Sequence, residues 1–260
     1  MPPATLESCA HTFHPFGGCH FVVAGLALAL MGLVVAFGVR WRRAKPSLEA
    51  RLRTCWCVAG FGVVAWGLTW YLLPSHFDPG ISLPLHLCDL AAIAAPFTLL
   101  SKSRWLRSVL YFWGLGLSTQ AFVTPIIQSG YAHTPFWLFW LGHTLIIGSA
   151  VYDIVVRGYR PTWGDFARTA IVNAAYIAVV LPLNLALDAN YGFIGRSTPD
   201  ARTLIDALGP WPWRILLLVA IIHAVMAVMV VAWRLGGLVA GATPTGTHSG
   251  DPPDASPGNP

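Results

Sequence analysis

The sequence predicts an all-α polytopic membrane protein: a bundle of seven transmembrane helices, with its N-terminus outside the cytoplasm and its C-terminus inside. Three observations carry that expectation. Of the 260 residues, 55% are hydrophobic and only 10% charged, against about 25% charged in an ordinary soluble domain; the mean hydropathy is +0.61. The apolar residues gather into runs of bilayer length. Lys and Arg alternate between the loops that join those runs.

A transmembrane helix needs about 20 mostly apolar residues. Seven segments qualify: 21–39, 55–73, 84–100, 105–124, 135–156, 166–187 and 213–233. The first reads as an uncleaved anchor, because residues 1–20 carry no basic region ahead of it. The third is the shortest and holds His86, Cys88 and Asp89. Orientation follows from the basic residues. Six follow the first span (Arg40, Arg42, Arg43, Lys45, Arg51, Arg53) and three the third (Lys102, Arg104, Arg107). Three more follow the fifth (Arg157, Arg160, Arg168), and Arg234 follows the seventh. The alternate loops hold only Arg196, Arg202 and Arg214. The net charge of +5 is thus a signature of topology, not of nucleic-acid binding. Arg outnumbers Lys fourteen to two, which points to a GC-rich bacterial genome; the expected location of such a multi-pass chain is the plasma membrane.

Residues 1–20 read as a short solvated outside tail, in which Cys9 and Cys19 could pair. Residues 21–236 form the membrane domain, and 237–260 read as a disordered cytoplasmic tail without Lys or Arg beyond 240. In the long outside connection, Leu204–Leu208 suits a short interfacial helix, and Trp211 and Trp213 suit the headgroup level.

Polar residues in membrane helices suggest function by default, and topology gives their depth at about 1.5 Å per residue. His86, Cys88, Asp89, Gln120, His143, Asn184 and His223 are all expected between the outer surface and the midplane, on five helices. A polar cavity open toward the outer leaflet is the simplest reading. Asn173, near the inner end of the sixth span, is the main exception. A Cys and a His on different helices can act as nucleophile and base, while several His with a carboxylate can hold zinc. Neither HExxH nor CxxC occurs, so the metal reading has no motif behind it, and thiol chemistry on a lipid acyl donor is expected to need no cofactor.

The segments LPLHLCDLAAIAAPF (83–97), FWLGHT (139–144), LDANYGF (187–193) and LGPWPW (208–213) resemble the YwaF-like integral membrane family. That bacterial family is similar to the eukaryotic transmembrane protein 164. The resemblance implies phospholipid acyl transfer through a cysteine acyl-enzyme assisted by a histidine, which fall on Cys88 and His143. Membrane lipids are then the partners. Gln120 and Asn184 are candidate oxyanion donors, with Asp89 or His223 to orient His143. Two other readings stay open: a transporter whose polar groups, with Asn173 and Asp153 on the inner side, line a path; and a zinc hydrolase using His86, His143, His223 and Asp89.

Overall fold

A computed structural model describes residues 8–196 and 204–241. The described chain is helical: α1 (Gly18–Ala44), α2 (Pro46–Leu72), α3 (Leu87–Leu100), α4 (Arg104–Val109), α5 (Gln120–Val123), α6 (Thr134–Val155), α7 (Trp163–Leu187) and α8 (Trp213–Gly241). No strand occurs among the described residues, only an isolated bridge between Thr12 and Ser129. Five helices, α1, α2, α6, α7 and α8, are long and apolar enough to cross a membrane. Leu204–Leu208 forms a 3-10 turn. Helix α8 carries the chain through 241; the rest of the expected cytoplasmic tail, and Arg202, lie outside the described residues.

The third and fourth expected spans take other forms. Helix α3 has 14 residues, because the chain ahead of it is held by the Tyr191 and Tyr176 hydroxyls. The apolar stretch 105–124 is composite: α4 passes into a π-helical segment, Leu110–Leu117, and then through a turn into α5. Tertiary packing explains the distortion. A Cβ on Gly114 would lie 3.2 Å from that of Ala150, and one on Gly116 would lie 2.9 Å from Met229 Sδ. The Thr119 hydroxyl donates to the Leu115 carbonyl at 2.7 Å.

Helix α6 is the central post. Of its most apolar stretch 67% is buried, against 22% for α1 and α7 and 17% for α2 and α8. Small residues let its neighbours approach, as membrane helix packing requires. A Cβ on Gly148 would meet Trp56 Cζ2 at 2.7 Å, and the Trp56 indole donates to Ser149 Oγ at 2.9 Å. The outer helices turn apolar side chains such as Phe21, Leu26, Leu33 and Leu216 outward, as helices surrounded by hydrocarbon do.

Two layers close the ends. At the α6 C-terminal end, Asp153 accepts from Arg107 (2.8 Å) and Arg157 (3.1 Å). Asp165 accepts from Arg104 and Arg168, and Glu49 from Arg53 (3.0 Å) and the Tyr152 hydroxyl (2.7 Å). At the opposite end, residues 8–20 form a folded strap where a solvated tail was expected. Cys9 and Cys19 are disulfide-bonded, and Phe13 is buried against Phe136 and Trp140. The His20 ring accepts from Phe16 N and donates to Phe122 O, both at 2.9 Å. Backbone bonds from Gly130 N to His11 O and from Phe13 N to Gln128 O tie the strap to the loop before α6.

Candidate functional site

Cys88 occupies the second position of α3, so its backbone N–H, like that of Leu87, precedes the first intrahelical acceptor. The turn before it is fixed from outside. The Tyr191 hydroxyl donates to Pro79 O (2.9 Å) and accepts from Leu83 N (3.0 Å). Burial raises this phenol above its ordinary range, so it keeps the proton it donates. The Tyr176 hydroxyl donates to Leu85 O at 2.7 Å. Asp89 Oδ2 accepts from the His86 amide at 3.1 Å, capping the helix three residues back. The His86 ring accepts from Gly192 N at 3.4 Å and lies edge-on to Tyr191. Both His86 and Asp89 therefore serve the geometry of the turn that presents Cys88.

His143 is buried on α6. Its Nδ1 lies 2.8 Å from the Phe139 carbonyl. A carbonyl only accepts, so the proton sits on Nδ1 and the lone pair on Nε2, the tautomer a base requires. The Phe139 ring centroid is 4.4 Å from the imidazole.

Helices α3 and α6 pack side by side, and the order in which their residues meet makes them parallel. At their ends, Arg157 donates to Thr98 O (2.8 Å) and Ser101 O (2.7 Å), and Leu99 shares a core with Tyr152 and Val156. Higher up, Ala91 and Ala95 share a core with Ile146 and Ala150, and Cys88 packs against that core. Three residues back from Ala91 is Cys88; three residues back from Ile146 is His143. Among the described residues no hydrogen bond joins the two.

The other expected residues lie elsewhere. Gln120 is exposed and its amide donates to the Thr124 hydroxyl beside it. Asn184 is buried, and both of its amide atoms bond the Tyr191 backbone. His223 donates from Nδ1 to Val219 O at 2.8 Å, and its ring faces Phe166, near the start of α7. It lines a narrow, mostly apolar cavity between α7 and α8 that Tyr176, Gly192 and Leu87 also border. The expected single polar cavity is thus divided. No three His, Cys, Asp or Glu side chains among the described residues converge on a metal-sized site. The inner candidates are occupied too: Asn173 accepts from the Trp113 indole at 2.9 Å, and Asp153 holds two arginines.

Sequence reasoning missed the phenols. Tyr71 and Tyr176 stand within electrostatic reach of Cys88 and Asp89, and Tyr191 is fully buried above them. The one available signal was Tyr191 inside the LDANYGF motif.

No curated protein and no solved structure matches the chain. Residues 15–230 match the sequence profile of the TMEM164 family. The match runs from the strap to the middle of α8 and includes both Cys88 and His143. By that match the chain belongs to the TMEM164 family.

Proposed function

We propose that the chain spans a bacterial plasma membrane seven times, strap outside, and is a thiol acyltransferase or hydrolase of outer-leaflet phospholipid. The catalytic reading is supported by the side-by-side packing of α3 and α6: Cys88 stands one turn before Ala91 and His143 one turn before Ile146, and Ala91 and Ile146 belong to one core. The topology is supported by the Cys9–Cys19 disulfide, since such bonds persist on the oxidising side of a membrane. The α6 C-terminal end, with its arginine network, then faces the cytoplasm.

In this mechanism His143 Nε2 removes the proton from Cys88 Sγ, and the thiolate attacks the carbonyl carbon of an acyl ester. The oxyanion lies at the first turn of α3, where the amides of Leu87 and Cys88 precede the first intrahelical acceptor; one such bond is worth about 3 kcal/mol. Collapse breaks the ester C–O bond, the leaving alkoxide takes the proton from His143, and a thioester remains on Cys88. A lysolipid hydroxyl or water, deprotonated by His143, attacks that thioester and restores the thiol. Asn184 and Gln120 are not required in this step; each already donates from its amide nitrogen, to the Tyr191 carbonyl and the Thr124 hydroxyl. Transport finds its best support in the π-helical break of Leu110–Leu117; against it, the inner polar candidates Asn173 and Asp153 are bonded to Trp113 and to Arg107 and Arg157.

The test is intact-protein mass spectrometry after incubation with labelled phospholipid, comparing wild type with Cys88→Ala and His143→Ala. A hydroxylamine-sensitive acyl adduct on wild type alone supports the mechanism. Its absence from folded wild type under every lipid tried rejects the acyl-enzyme.

A further inference from the structure

The basic residues at the arginine-rich end of the bundle are of two kinds. Arg53, Arg104, Arg107, Arg157 and Arg168 each reach Glu49, Asp153 or Asp165. Arg160 and Arg234 lie over the rings of Trp233 and Trp163. By contrast, Arg40, Arg42, Arg43, Lys45 and Arg51 are all exposed, and among the described residues none has a salt bridge. The single acidic residue between positions 40 and 53, Glu49, is committed to Arg53 and the Tyr152 hydroxyl.

These five cations sit on a stiff support. Only Lys45 separates the 27-residue helix α1 from the 27-residue helix α2, with Pro46 opening the second. Like charges held this close repel one another unless an external anion neutralises them. Trp41, its ring tilted against that of Phe37 at 5.1 Å, marks the headgroup level beside Arg40 and Arg42. Trp105 and Trp163, both exposed, mark it on α4 and α7 at the same end.

We propose that this α1–α2 tip is a docking surface for anionic phospholipid headgroups of the leaflet it faces. Charge complementarity selects the occupant: a rigid row of unpaired cations at headgroup depth meets phosphates held in a plane. Each basic side chain near an anionic surface strengthens association roughly five-fold. No catalytic residue belongs to this surface, and lipid docking here is independent of acyl transfer.

The experiment follows the thermal unfolding midpoint of the full chain in neutral detergent, titrated with phosphatidylglycerol or phosphatidylcholine. The wild type is expected to gain stability from phosphatidylglycerol alone, and to lose that gain in about 0.5 M salt, where screening shortens electrostatic reach to a few ångströms. Replacing Arg40, Arg42, Arg43, Lys45 and Arg51 together by Gln is expected to weaken the phosphatidylglycerol response about ten-fold or more. Changing the four arginines to Lys keeps it, as does Lys102→Gln. Equal shifts with the two lipids, a salt-insensitive shift, or an unchanged response in the Gln variant overturns the proposal. So does an equal shift with soluble glycerol phosphate, which would assign the tip to a free anion. Should the Gln variant not fold, the wild-type salt dependence decides alone.

Discussion

Asn184 and Tyr191 are joined by two hydrogen bonds of opposite sense: Asn184 Nδ2 donates to the Tyr191 carbonyl at 2.9 Å, and the Tyr191 amide donates to Asn184 Oδ1 at 2.8 Å. This clasp fixes the turn after α7, and through the Tyr191 hydroxyl it fixes the chain that leads to Cys88. Asn184→Leu leaves a buried donor and acceptor without partners and is expected to cost about 2–4 kcal/mol. Asn184→Asp keeps the acceptor and costs less. Unfolding midpoints check the order. Tyr191→Phe removes only the hydroxyl, about 1–2 kcal/mol. Its acyl-adduct rate, read well below the midpoint, is expected to fall by more than its stability does.

Asp153 lies between Arg107 and Arg157 and is 3% exposed at its side chain. Asp153→Asn strands two partly buried guanidinium groups and is expected to destabilise by about 3 kcal/mol. Adding Arg107→Met removes one stranded charge, so the double variant is expected to be more stable than Asp153→Asn. Equal stability of the two variants contradicts this account.

The contact of α6 with α2 depends on Gly148. Gly148→Ala drives a methyl to 2.7 Å from Trp56 and is expected to cost about 1–3 kcal/mol through overpacking. Gly32→Ala, with nothing within 4 Å of the added carbon, is the matched control and leaves the melt unchanged or slightly raised.

The strap gives a direct reading of topology. An impermeant maleimide applied to intact cells is expected to label Cys9 and Cys19 only after reduction. A Ser47→Cys variant at the exposed α1–α2 tip is expected to label only after permeabilisation. Labelling of Ser47→Cys in sealed cells inverts the proposed orientation.

The long helices were legible because hydrocarbon imposes a length and a composition on anything that crosses it. The expected starts at 21, 135, 166 and 213 fall within three residues of the observed Gly18, Thr134, Trp163 and Trp213, while that at 55 is late, since α2 begins at Pro46. The expected end of the first span at 39 was early, since α1 continues through Arg40, Arg42 and Arg43 to Ala44. Their long stems allow the charges to leave the apolar layer while the backbone stays helical. The π-helical passage was not legible, because Gly114 and Gly116 are shaped by Ala150 and Met229, far away in sequence. Asn184 shows the same limit at the site. A polar side chain in an apolar helix announces that a partner is needed, and the sequence does not say that the partner is a backbone seven residues on. Likewise the three-residue steps from Ala91 to Cys88 and from Ile146 to His143 acquire meaning only once α3 and α6 are known to run parallel.

The burial of α6 also bears on how the bundle is assembled. A chain inserted from its N-terminus lays down α1, α2, α3 and the composite fourth segment before the helix that they surround exists. Until α6 arrives, Trp56, Met31, Ala91 and Ala95 face lipid or one another. The early helices must therefore wait as an open half-ring, and the stretch from Thr134 to Val155 acts as the keystone that closes it. A ribosome stalled before that stretch emerges would hold a protein with most of its helices and almost none of its core.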